Sequence, residues 1–135
     1  MILSFKNQFP SKIITGTKIH TIREDKPGRW IPGRKIHFAT GVKTKNYRCF
    51  YESECKAIQS IKIEYFWSEY ESSMNDLRVW IDGRLFYKVE GNFIEGSEQM
   101  EQLAKNDGFD SVDDFFLWFS KDFTGKIIHW TDLRY

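Results

Sequence analysis

The side chains in this chain best equipped for chemistry are basic, and they crowd its first third. Arg23 carries a guanidinium, which suits a phosphate, a carboxylate or the edge of a nucleobase. It could equally form an ordinary ion pair with Glu24, Asp25 or a later acid. Trp30 lies between Arg29 and Arg34, with Lys35 next in line, and an aromatic ring among cations makes a stacking platform for a base. The same ring could instead plug the end of a β-barrel. Lys43, Lys45 and Arg48, with Tyr47 among them, are phosphate contacts if aligned and a solvated loop if not. Residues 1 to 48 hold eleven Lys/Arg against two acids, a net +9, and the remaining 87 residues carry −8. A domain polarised in this way presents a positive surface, and the partner that surface favours is RNA or a modified nucleoside or nucleotide.

Other chemistries find less support. His20, His37 and His129 have no Cys or acid at zinc-ligand spacing, so no metal and no other cofactor is expected. Cys49 and Cys55, six positions apart, fit neither a zinc pattern nor a disulfide scaffold and point to free thiols in a reducing cytoplasm. No P-loop or nucleophile elbow is present. The longest apolar runs, such as 115–119, fall far short of the ~20 residues of a membrane span. MILSFKNQF lacks the shape of a secretory signal, so a cytoplasmic location is expected.

The elements that would position these residues can be read from their patterns. The 135 residues, 41% of them hydrophobic and without repeat or linker, suit one domain over 1–135. Pro10 to Thr15 reads as a short helix, with proline in its first turn and Gly16 just past its end. Ile19 to Arg23 reads as extended, followed by a loop rich in Gly and Pro. Lys35 to Thr40 alternates as a strand, and Arg48 to Phe66 is strand-rich. Asp82-Gly83 between two strand-like runs predicts a two-residue hairpin turn. Trp80 and Phe86 on that hairpin are candidate exposed aromatics. Ser97 to Asn106 reads as a polar helix. Ser111 to Asp114 has the form of a capping box opening a second helix, whose stripe of Val112, Phe115, Phe116, Phe119 and Phe123 faces the core. Gly125 is expected to end that helix before a last strand from Lys126 to Trp130. The sum is α+β, mainly β, and long runs of strands favour a barrel or curled sheet.

One stretch carries a resemblance. Gly16-Thr17-Lys18-Ile19-His20-Thr21-Ile22-Arg23, followed by Trp30-Ile31-Pro32-Gly33-Arg34-Lys35-Ile36-His37, resembles the opening of the ASCH domain family. Thr40-Gly41 with the strand through Cys55, Asp107-Gly108-Phe109 before Ser111 and its aromatic helix, and the closing His129-Trp130 are similar to later family elements. The resemblance covers nearly the whole chain except about 66–95, so the Asp82-Gly83 hairpin would be an insertion. It implies a PUA-like β-barrel with two or three flanking helices and a cleft facing RNA or nucleotides. Some members are small amidohydrolases acting on N4-acylated cytidine through a lysine, a threonine and an acid. Carried over, these are Lys18, Thr21 and Asp107, with aspartate where active members have glutamate and with Glu101 as an alternative carboxylate. A desolvated lysine can act as base toward a threonine hydroxyl. Residues three apart on a strand face opposite ways, so Lys18 and Thr21 can converge only if Lys18 precedes the strand. Two readings therefore stand side by side, an RNA- or nucleotide-binding module and a small hydrolase. A protein-interaction domain using the acidic second half is a third.

Overall fold

The computed structural model describes residues 1–67 and 75–135. In chain order it contains β1 (Ile2–Ser4), α1 (Pro10–Ile14), β2 (His20–Arg23), β3 (Lys35–Thr40), β4 (Arg48–Glu54) and β5 (Ala57–Trp67). Then follow β6 (Asn75–Ile81), β7 (Arg84–Glu90), β8 (Phe93–Glu95), α2 (Ser97–Asn106), α3 (Val112–Trp118) and β9 (Phe123–His129). The class is α+β and mainly β, as the patterns predict. None of these helices is long and apolar enough to cross a membrane.

The nine strands of the described residues form two sheets. The smaller has the order β1-β3-β4, and the larger, antiparallel throughout, runs β2-β9-β5-β6-β7-β8. Among the described residues the expected barrel does not close. The outer strands of the larger sheet, β2 and β8, have four and three residues and are not paired to each other. Short edges of this kind end a sheet without offering a long template for further pairing.

Local chemistry explains most element boundaries. Proline occupies the first turn of α1. Asp82 and Gly83 both take positive φ, 51° and 76°, the conformation that a two-residue hairpin requires. The Ser111 hydroxyl accepts the Asp114 amide at 3.1 Å and starts α3. That helix is shorter than its aromatic stripe predicts. It stops at Trp118, and Phe123 and Gly125 belong to β9. Tyr65 holds the break open from the neighbouring sheet: its hydroxyl donates to the Phe119 carbonyl at 2.6 Å, and its amide donates to the Asp122 carboxylate at 2.8 Å. Gly125 is needed within the strand, because a Cβ there would lie 2.6 Å from the Arg23 carbonyl oxygen. Trp80 and Phe86 are half-buried, not exposed, and Phe86 packs edge-on against Tyr135.

The core lies between the sheets and under the helices. Phe38, fully buried on β3, stacks on Phe5 at 5.7 Å and meets Trp130 edge-on at 4.7 Å. Phe9 and Phe109 carry this aromatic packing on to Trp118. The chain thereby brings the start of the sequence against the α2–α3 corner, and the candidate site lies at that seam.

Candidate functional site

Lys18 leaves α1 before β2 begins. Its backbone amide bonds to the Lys12 carbonyl at 2.9 Å, and the Ile19 amide bonds to Asn106 at the end of α2 at 2.8 Å. Because Lys18 stands in the turn and not on the strand, strand alternation does not separate it from Thr21. Both line one cavity of about 550 Å³. Thr21 and Arg23, two apart on β2, share a face because side chains alternate along a strand. The Arg23 Nε lies 3.3 Å from the Thr21 hydroxyl, which accepts from it. Its Nη2 donates to the Ser4 carbonyl at 2.6 Å, and the guanidinium lies over the Phe5 ring.

The acid comes from α2. Asp107 caps that helix, its amide bonded to Leu103 at 2.9 Å, and its residue is 2% exposed. Lys18 Nζ donates to the Asp107 backbone carbonyl and stands 3.4 Å from its Oδ1. Gly108 makes this approach possible. Its φ is +95°, and a Cβ there would sit 2.9 Å from the Lys18 side chain and 3.1 Å from Phe9. Lys18 is buried, with Phe9 and Phe5 beneath its ammonium at 4.9 and 5.8 Å. Desolvation dominates its titration and brings it from 10.5 down to about 8, against the opposing pull of Asp107; Arg23 and Lys12 push the same way as burial.

A second group holds Asp107 from behind. His20, fully buried, places Nδ1 3.0 Å from Asp107 Oδ1 and Nε2 against the Tyr135 hydroxyl. Burial lowers the basicity of His20, which keeps the ring neutral. His129 packs beside it with ring centres 5.3 Å apart and is pushed down to about 3, first by burial and then by His20. The histidines thus serve as hydrogen-bonding groups, with His129 bonded to Gln59 at 2.9 Å. One cluster of metal-ligand type exists among the described residues. His37, Cys49 and Glu52 on β3 and β4 bring their donor atoms within 4.8 Å of one another, and none of them lines the cavity.

The cavity gathers some of the residues that sequence singles out and leaves others aside. Lys18, Thr21, Asp107, Arg23 and Lys43 line it. Trp30 is 5% exposed, its amide held by Asp25 at 2.8 Å, so it belongs to the core and offers no stacking face. Arg29, Arg34, Lys35 and Lys45 do not line the cavity, and Lys35 is 3.9 Å from Glu52. Glu101 is exposed and paired with Lys105 at 3.0 Å, so the acid of the cavity is Asp107. The walls that sequence reading missed are Phe5, Phe9, Trp118 and Phe119, with Lys6 lying over the Trp118 ring at 4.9 Å. No spacing rule joins position 6 to position 118, and only the fold brings them together.

Comparison with known proteins adds no relative: no family model, no curated protein and no solved structure matches this chain.

Proposed function

We propose that the cavity binds an N-acylated cytosine nucleoside or nucleotide and hydrolyses its exocyclic amide through Lys18, Thr21 and Asp107. The observation that carries this reading is the buried Lys18 ammonium, set against a carboxylate, lowered to about 8 and sharing one cavity with a threonine hydroxyl. A site that only binds an anion has no need of a lysine lowered in this way. A base working near neutral pH needs that weakening. The Phe9 and Trp118 rings provide apolar walls suited to a planar base. The reading is supported by the resemblance of the Gly16 to Arg23 segment to the ASCH family, which implies the same substrate class, and by Lys18, Thr21 and Asp107 all lining one cavity.

The chemistry balances on these groups. Neutral Lys18 takes the proton of the Thr21 hydroxyl as its oxygen attacks the amide carbon. Arg23 already donates to that oxygen, which leaves the hydroxyl proton free for the base. The resulting Lys18 ammonium returns the proton to the exocyclic nitrogen, the carbon–nitrogen bond breaks, and cytidine departs from an acyl ester on Thr21. Water, deprotonated by Lys18, attacks the ester; the Lys18 ammonium returns that proton to the departing Thr21 oxygen, which releases the carboxylic acid and restores the threonine and the neutral lysine. Asp107 keeps the lysine in place throughout and shares its charge when it is protonated.

A second reading, an RNA- or nucleotide-binding site without turnover, is favoured by one observation. Lys6, Arg23 and Lys43 line the cavity, and none has a carboxylate partner among the described residues. Release of cytidine from N4-acetylcytidine, followed for the parent, Lys18→Ala and Thr21→Ala, separates the two. Turnover in the parent that both variants lose supports hydrolysis. No turnover by the parent at high protein concentration removes the hydrolase reading for this substrate and leaves salt-dependent nucleotide binding.

A further inference from the structure

Behind Asp107 lies a partly buried polar chain that the hydrolysis scheme does not use. The Asn106 amide nitrogen donates to the Tyr135 hydroxyl at 3.0 Å, and Gln102 donates to the Asn106 side-chain oxygen at 2.8 Å. The Tyr135 oxygen, having accepted from Asn106, has its own proton left for His20 Nε2. An imidazole that accepts at Nε2 carries its proton at Nδ1, and Nδ1 faces the Asp107 carboxylate at 3.0 Å. The bonds along this line can therefore run in a single direction, from Asn106 through Tyr135 and His20 to the carboxylate that meets Lys18. Tyr135 is itself held fast. Its backbone amide donates to Gln59 Oε1 at 2.9 Å, and its backbone oxygen accepts from Gln59 Nε2 at 2.8 Å.

We propose that Tyr135 and His20 are positioning residues that act through Asp107: they aim its carboxylate and draw off part of its charge, and so set how strongly it holds the Lys18 side chain. This deepens the hydrolase reading and rests on it. An imidazole that merely filled space in the core would need neither tether. Here both ring nitrogens are committed, and the line they make runs from a fixed tyrosine to the lysine of the cavity. A donor on the far side of a carboxylate competes with the lysine for its electrons, so removing that donor strengthens the pull of Asp107 on Lys18. The other charged or titratable groups facing this cluster are Lys12 from α1, Arg23 from β2 and His129 from β9, and none of them is altered by the substitutions below.

The test reads Lys18 directly and then reads turnover. In protein carrying isotope-labelled lysine, the Lys18 titration is followed by NMR in the parent, Tyr135→Phe, His20→Leu and His20→Asn, with thermal midpoints recorded for all four. Asparagine keeps an amide donor near the place of Nδ1 and loses the link to Tyr135. The expected result is a higher Lys18 midpoint in His20→Leu, with the neutral fraction at pH 7 falling by about threefold to tenfold, a charged hydrogen bond being worth roughly one pH unit. Tyr135→Phe moves it the same way by less, and His20→Asn restores most of the parent value. The acid limb of the turnover profile moves with the Lys18 midpoint. A Lys18 midpoint unchanged in Tyr135→Phe and in whichever His20 variants fold, with only thermal stability affected, overturns the proposal. A shifted midpoint in a parent that turns nothing over sinks the hydrolase reading and leaves the His20–Asp107 coupling standing.

Discussion

If Lys18 is the base, the rate must follow its neutral fraction, and burial fixes where that fraction rises. With Lys18 at about 8, roughly a tenth of it is neutral at pH 7, half at pH 8 and nine-tenths at pH 9. The prediction is that kcat/KM for cytidine release climbs about tenfold between pH 7 and pH 9 and then levels, with unit slope on the acid side. Lys18→Arg keeps a cation beside Asp107 but is charged throughout this range, so its turnover is lost while ligand binding survives. Folding stability provides a second readout. Lys18 titrates at its ordinary value of 10.5 when unfolded and at about 8 when folded. Between those values the unfolded chain holds the extra proton, so raising the pH across this window stabilises the fold. The gap of about 2.5 pH units corresponds to about 3 kcal/mol, an order-of-magnitude figure for a fully buried group. Denaturant unfolding of the parent against Lys18→Met, between pH 7.5 and pH 10, isolates this contribution from the other lysines. A rate that is flat from pH 7 to pH 9, together with a parent-minus-variant stability that does not change with pH, would refute the reasoning.

Gly108→Ala places a methyl group against the Lys18 and Phe9 side chains in a left-handed backbone conformation. It should cost about 1–2 kcal/mol of stability, and a displacement of about 1 Å at Lys18 should lower kcat on the order of 100-fold; stability and kinetics measured on the same variant check both. Trp30→Ala removes a core ring, so denaturation should show a loss of about 3–5 kcal/mol, while nucleotide affinity measured well below the unfolding temperature should be unchanged. Lys6→Ala and Lys43→Ala should leave folding intact, weaken binding of a cytidine 5′-phosphate and flatten its salt dependence; titration calorimetry at two salt concentrations reads this.

Much of this architecture was legible because it rests on local rules. The Asp82-Gly83 turn, the α2 helix, the Ser111 cap and the β3 strand each follow from a few neighbouring residues, and each appears in the fold. The position of Lys18 ahead of β2 was legible too, once Gly16 is seen to follow the end of α1. What failed is non-local. The end of α3 is decided by Tyr65, far away in the chain, which captures the Phe119 carbonyl that a longer helix would use. Trp30 reads as a loop aromatic among cations, yet Asp25 folds the loop back and seats the ring in the core. Barrel closure depends on whether edge strands meet, which no residue pattern specifies. The link from Tyr135 through His20 to Asp107 joins three distant segments and leaves no trace in spacing.

The central claim is that Lys18 activates Thr21 to take up the acyl group, and rapid-quench analysis of the parent with N4-acetylcytidine tests it most directly. The account predicts a burst of cytidine accompanied by an acetyl group on the peptide that carries Thr21, absent in Lys18→Ala and Thr21→Ala. Cytidine release that persists in Thr21→Ala, with no acetylated peptide in the parent, would contradict it.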